Sequence, residues 1–173
     1  MSSFPSPQTE FAPGSCGCAE DDTCTLSTAV PTNTGQTLSD GQGIRSRVLE
    51  VAAAPSLYAF EHFSRRLEFE TDCSDVHSAF VSGAVDFVLL DVRSPQLYGN
   101  GHVPGAVNVP VLSISEERMK EFPAKTNFVV YCAGPHCNGA NKAGIRLAKL
   151  GRPVKEMIGG VTGWLDEGLV LEK

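Results

Sequence analysis

Two cysteines five positions apart, in FVVYCAGPHCNGANKAGIRL (residues 128–147), form the stretch of this chain best suited to chemistry. An apolar run ends at Cys132, Gly134-Pro135 break it, Cys137 follows, and a helical pattern starts near Gly139. A thiol between a strand end and a helix start meets the loop amides and the positive end of the helix. Both favour an anion and lower a thiol pKa from about 8.5 towards neutrality. Gly134 and Gly139 allow the backbone to turn N–H groups inward. The loop Ala133, Gly134, Pro135, His136, Cys137, Asn138 and Gly139 thus reads as a cradle for a thiolate or sulfur anion. On position alone, a buried cysteine closing a core strand is an equal reading.

Cys137 has two readings. It is a second thiol able to attack a group on Cys132 or to pair with it, or it is a small residue packed at the helix start. His136 is read as a surface loop side chain, because a thiolate of low pKa needs no base. Three more cysteines, Cys16, Cys18 and Cys24, lie in CGCAEDDTC. They lack a fourth ligand at a familiar zinc spacing, so exposed thiols are favoured over a metal cluster. No metal site is expected.

The elements that must position these residues follow from periodicity. Residues 67–70 (LEFE) predict a short strand, and TDCSDVHSAFVSG predicts a helix capped by Thr71 or Asp72 and closed by Gly83. DFVLLDV (86–92) and NFVVYC (127–132) are continuous apolar runs of strand length, as in strands buried on both faces. AVNVP (106–110) and VKEMIGG (154–160) give two further strands. GANKAGIRLAKLGRP is a clear helix, with Ala140, Ala143, Gly144, Leu147 and Ala148 on one face. The fold class expected is α/β, a mainly parallel central sheet flanked by helices.

Three regions are expected. Residues 1–43 are a low-complexity tail, rich in Pro, Gly, Ser and Thr and read as disordered. Residues 44–66 are a helical lead-in, and residues 67–173 are the folded domain. In the lead-in, IRSRVLEVAAA suggests a short helix ending before Pro55. SLYAFEHFSRRL suggests a second, with Ser56 as N-cap and a stripe of Leu57, Phe60, Phe63 and Leu67. Such a stripe ordinarily packs on its own domain; binding a partner is the less favoured alternative.

The 173 residues carry 42% hydrophobic and 20% charged residues and a formal charge of −6. Residues 1–44 hold −5 of that charge, with no Lys or Arg, which leaves the remainder near neutral. This balance argues against nonspecific binding to nucleic acid or anionic membrane. The start MSSFPSPQTEF has neither a basic nor an apolar segment, so a cytoplasmic protein with reduced thiols is expected.

LLDVRSPQLYGNGHVPGAVNVP resembles the rhodanese-like family, through Asp91-Val92-Arg93 and Gly101-His102-Val103-Pro104-Gly105-Ala106. MIGGVTGWLDEG, with Gly159-Gly160 and Trp164, is similar to that family's closing segment. Cys132, following VVY, matches its nucleophile. The resemblance covers about residues 67–170 and implies a single-domain sulfurtransferase. In it Cys132 takes sulfane sulfur as a persulfide from thiosulfate or a persulfide donor. It then passes the sulfur to a thiol, cyanide or a protein acceptor. No metal or organic cofactor is implied. Many thiosulfate-using members carry Arg or Lys in the active loop, and AGPHCNGAN has neither, so persulfide donors are favoured. After Cys132 no Arg occurs before Arg146, well inside the helix, which argues against the phosphatase chemistry of related folds.

The remaining polar residues of the motifs read as scaffold. Asp91 and Arg93 are expected to tie loops by charge-assisted hydrogen bonds, with Ser94-Pro95 opening a helix. His102 is expected to hydrogen-bond backbone in its turn. Two other readings remain: a non-catalytic rhodanese-like binding module, and a thiol–disulfide redox protein using Cys132 and Cys137.

Overall fold

The computed structural model describes residues 46–173, and the expectations for residues 1–43, including Cys16, Cys18 and Cys24, lie outside them. The alternation of apolar runs and amphipathic segments builds a five-stranded parallel sheet. Its strands are β1 (Glu70–Thr71), β2 (Phe87–Asp91), β3 (Val107–Asn108), β4 (Asn127–Tyr131) and β5 (Val154–Met157). The spatial order is β1-β5-β4-β2-β3. β4 lies in the middle, with Phe87 opposite Asn127 and Asp91 opposite Tyr131, and with Phe128 opposite Val154.

Alternation along β4 assigns its side chains to two cores. Phe128, Val130 and Cys132 face one layer with Leu90, Met119, Ala140, Ala143 and Leu147. Val129 and Tyr131 face the other with Cys73, Val76, Leu89, Met157 and Trp164. The continuous apolar runs of β2 and β4 are thus required by covering on both faces.

Six α-helices accompany the sheet among the described residues: α1 (Ser56–Phe69), α2 (Cys73–Ser82), α3 (Pro95–Asn100), α4 (Glu116–Met119), α5 (Gly139–Lys149) and α6 (Gly160–Asp166). α2 starts where Asp72 accepts the Asp75 N–H at 2.8 Å and stops at Gly83, which takes a left-handed φ of 74°. Ser94 caps α3 in the same manner, with Pro95 at its first turn. α5 buries Ala140, Ala143 and Leu147 of the face its periodicity predicts, while Gly144 is half-buried and Ala148 is exposed.

The lead-in departs from expectation. Residues 67–69 belong to α1, and the first strand is only Glu70–Thr71. The amphipathic period carries the helix on until Glu70 enters the sheet beside β5. The helix expected before Pro55 is a single 3-10 turn, Arg47–Leu49, in a segment with no buried residue to hold more turns. Pro55, with φ −53° and ψ 144°, occupies the N-cap of α1, so Ser56 is its first helical residue and makes no capping bond. The apolar stripe does not pack on the described domain either. Leu57, Phe60, Phe63 and Leu67 are 65%, 70%, 61% and 70% exposed. α1 meets the sheet at β1 and β5, where Lys155 donates to the Leu67 carbonyl at 2.7 Å.

Candidate active site

Cys132 is the first residue past β4, and its 8% exposure reflects a side chain directed into the layer under α5. From there the chain turns through residues 133–138 into the first turn of α5. The Cys137 N–H donates to the Gly134 carbonyl at 2.9 Å, closing the turn that brings Cys137 back beside Cys132. The two sulfurs are joined in a disulfide, with the Cα atoms 6.3 Å apart.

Gly139 makes room for this pair. A Cβ at that position would lie 2.7 Å from the Cys132 sulfur and 3.3 Å from that of Cys137. A side chain at the helix start would therefore displace both sulfurs. The first-turn amides of α5 have no intrahelical acceptors and stand at this end of the helix. Among the described residues, the N–H groups of Gly134, His136 and Asn138 also lack a protein acceptor. The arrangement suits an anionic sulfur. Pro135, His136 and Asn138 are exposed, so they form the outer lip of the loop.

A second segment closes on the loop from behind. The Val161 N–H donates to the Cys132 carbonyl at 3.1 Å, and the Thr162 N–H and hydroxyl donate to that of Ala133 at 2.9 and 3.0 Å. Gly160, at φ 56°, packs so near that a Cβ would sit 3.0 Å from the Gly134 nitrogen. The sequence pointed to Gly159, Gly160 and Trp164 but not to Thr162. An isolated threonine carries no periodic or spacing signal.

Asp91, Arg93 and His102 are brought together on the opposite side of the β4 end. Asp91 is fully buried and accepts from Arg93 Nε at 3.0 Å and from the Tyr131 hydroxyl at 2.8 Å. Arg93 also donates to the Gly101 carbonyl at 2.8 Å. The Tyr131 hydroxyl in turn accepts the Val103 N–H at 3.0 Å. This chain joins the ends of β2 and β4 to the turn at 101–103. His102 Nδ1 lies 3.1 Å from the Tyr98 carbonyl and Nε2 lies 3.2 Å from the Glu172 carboxylate. None of the three makes a hydrogen bond or ion pair with the cysteine pair. Tyr131, the central member of this chain, was missed by the sequence reading because it looks like one more apolar strand residue.

Cys73 is the free cysteine among the described residues, and its environment is the reverse of the loop's. It is 1% exposed, its sulfur faces the Ile158 carbonyl at 3.5 Å, and burial pushes its thiol up to about 11, with Glu167 and Asp72 adding to the shift. A cleft of about 450 Å³ lies at the far end of the sheet, lined by Phe87, Asn127 and Val154 at the strand starts, and contains none of the loop residues. Among the described residues no cluster of metal-ligating side chains occurs, and no helix is long and apolar enough to cross a membrane.

Comparison with known proteins agrees with this architecture. The profile of the Rhodanese-like domain matches residues 74–167. An HTH-type transcriptional regulator of Mycobacterium tuberculosis is 35% identical over 91 residues, which span 52% of this chain and 39% of the regulator. A solved protein of Bacillus halodurans, 35% identical, superposes with a TM-score of 0.66 over 68% of this chain and 86% of its own. A thiosulfate sulfurtransferase of Pseudomonas aeruginosa shares the fold at 23% identity, with a TM-score of 0.53 over 63% of this chain and 21% of its own. With its parallel sheet, the matched segment and the cysteine loop between β4 and α5, this chain belongs to the rhodanese-like domain family.

Proposed function

We propose that this chain is a sulfurtransferase in which Cys132 carries sulfane sulfur as a persulfide. The observation that supports this best is the cradle itself: Cys132 directly follows β4 and its sulfur lies against Gly139, at the start of α5. In the reduced protein the Cys132 thiolate attacks the outer sulfur of thiosulfate or of a persulfide donor. Sulfite or a thiolate leaves with the electron pair of the broken S–S bond, and the new Cys132 persulfide rests among the loop amides. A thiol, cyanide or a protein cysteine then accepts the outer sulfur. Residues 133–139 bind the sulfur species, and Asp91, Arg93 and His102 act as scaffold. The domain proposed for this chemistry is residues 67–173, and neither metal nor organic cofactor takes part.

Intact mass spectrometry of the reduced chain tests this reading. Incubation with thiosulfate or a low-molecular-weight persulfide should give one added sulfur, or a Cys132–Cys137 disulfide formed in its place. Cys132→Ser should give neither while keeping its thermal midpoint. Sulfur transfer by Cys132→Ser at the parent rate would overturn it.

A second reading, a partner-docking rhodanese-like module, is favoured by the exposed stripe on α1 and by the regulator among the relatives. It predicts a Cys132→Ser chain that keeps its partner and an α1 variant, Phe60→Asp with Phe63→Asp, that loses it.

A further inference from the structure

We propose that Cys137 is a resolving nucleophile that releases the sulfur held on Cys132 as hydrosulfide. The loop is then a persulfide-reducing centre as well as a sulfur carrier. The inference rests on the proposal that Cys132 is the carrier. It adds the fate of the sulfur, and the reductant is a thiol of the same loop.

The geometry carries it. Cys137 reaches the sulfur of Cys132 directly, since the two are bonded at a Cα separation of 6.3 Å, within the span of ordinary disulfides. The Cys137 N–H to Gly134 carbonyl bond holds this turn, and Gly139 leaves the space both sulfurs occupy. In a Cys132 persulfide the atom Cys137 reaches is thus the inner sulfur. Attack at the outer sulfur would only move it from one cysteine to the other. Attack at the inner sulfur expels it. Cys73 offers no competing route, because it packs in the core on the other face of the sheet and its thiol is pushed up to about 11.

The step balances. The Cys137 thiol gives its proton to the outer sulfur of the anionic Cys132 persulfide and bonds Cys132 Sγ, the bond from Cys132 Sγ to the outer sulfur breaks, and its electron pair leaves with that sulfur as HS⁻. The sulfane sulfur is reduced by two electrons while the two thiols become a disulfide, the state seen in the structure. Hydrosulfide is less basic than an alkyl thiolate, which favours its departure. A dithiol reductant of the dithiol–disulfide oxidoreductase class must then reopen the Cys132–Cys137 bond, so each sulfide released consumes one dithiol. An external acceptor such as cyanide diverts the sulfur only by capturing it before Cys137 attacks.

The test uses the full chain, reduced, freed of reductant and kept without oxygen. It is given one equivalent of a low-molecular-weight persulfide and, separately, thiosulfate. The expected result is about one sulfide per chain without added reductant, with peptide mapping that joins Cys132 to Cys137. Cys137→Ser and Cys137→Ala should instead retain one added sulfur on Cys132 and lose the sulfide burst. The two variants guard against a folding defect in either. Repeated sulfide release should require a dithiol and should be slower in both variants, where only direct attack of the dithiol on the Cys132 persulfide remains. A parent chain that keeps its persulfide on Cys132 with Cys137 free, or that carries the sulfur to Cys137, would overturn the resolving step and leave the carrier reading standing. Cys137 variants that take up no sulfur at Cys132 would overturn the carrier reading and the inference with it.

Discussion

The Tyr131 hydroxyl donates to Asp91 Oδ2 at 2.8 Å across two strands that pair these residues directly, and it accepts the Val103 N–H at 3.0 Å. The residue before Cys132 is thereby pinned to a buried carboxylate that Arg93 also grips. Burial holds the Tyr131 phenol far above its ordinary range, and the Asp91 charge adds to this, so it remains a donor. Tyr131→Phe removes one donor from a buried carboxylate and the acceptor from a buried amide. The expected loss is about 1–3 kcal/mol, read as a lower denaturant midpoint with an unchanged slope. An unchanged midpoint would mean that this bond does not stabilise the end of β4.

Gly160 gives a prediction with an internal control. Alanine there must adopt φ 56° and bring its Cβ to 3.0 Å from the Gly134 nitrogen and 3.1 Å from the Cys132 carbonyl carbon. Gly168, at φ 75°, has nothing within 4 Å of such a Cβ. Gly168→Ala should cost only the backbone strain, about 1–2 kcal/mol. Gly160→Ala should cost more and should also slow sulfur uptake by Cys132, because the loop must move aside. Equal losses in the two variants, with equal uptake rates, would remove the steric argument.

Cys73 predicts a specific alkaline weakness. Its folded pKa of about 11 exceeds the ~8.5 of an unfolded thiol. Below the lower value both states keep the proton and the contribution is fully present. As pH rises from there to about 11, the unfolded state loses its proton first, so stability falls. The parent chain should therefore lose stability over that window more steeply than Cys73→Ala, measured by urea denaturation at a series of pH values. Parallel curves would contradict the burial argument.

Donor preference should follow the charge of the loop. A dianion such as thiosulfate gains about 1–3 kcal/mol from a charged hydrogen bond, roughly one to two decades in rate. Residues 133–141 contain neither Arg nor Lys. Persulfide donors should thus show the higher kcat/KM, and His136→Arg should raise the value for thiosulfate selectively. Thiosulfate emerging as the better donor, unaffected by His136→Arg, would count against an electrostatic origin.

The sequence alone determined those features whose signals act within a few residues. The apolar runs of β2 and β4, the Asp72 cap and Gly83 stop of α2, and the Ala140, Ala143 and Leu147 face of α5 all come from local hydrogen bonding and periodicity. The ordered motifs from Asp91 to Trp164 were enough to mark the family, and strand-then-helix order alone put Cys132 at the mouth of α5.

Other features depended on which distant segments the sheet brings side by side. Because β5 lies next to β4, the α6 start reaches back so that Val161 and Thr162 hold the carbonyls of Cys132 and Ala133. Tyr131 became the partner of Asp91 only through the β2–β4 register. The stripe on α1 read as core, yet the helix touches the sheet near its C-terminal end and leaves that face open. Cys137 was open to two readings because five residues of chain can place two sulfurs apart or together. The Gly134 turn and the space left at Gly139 decided for contact.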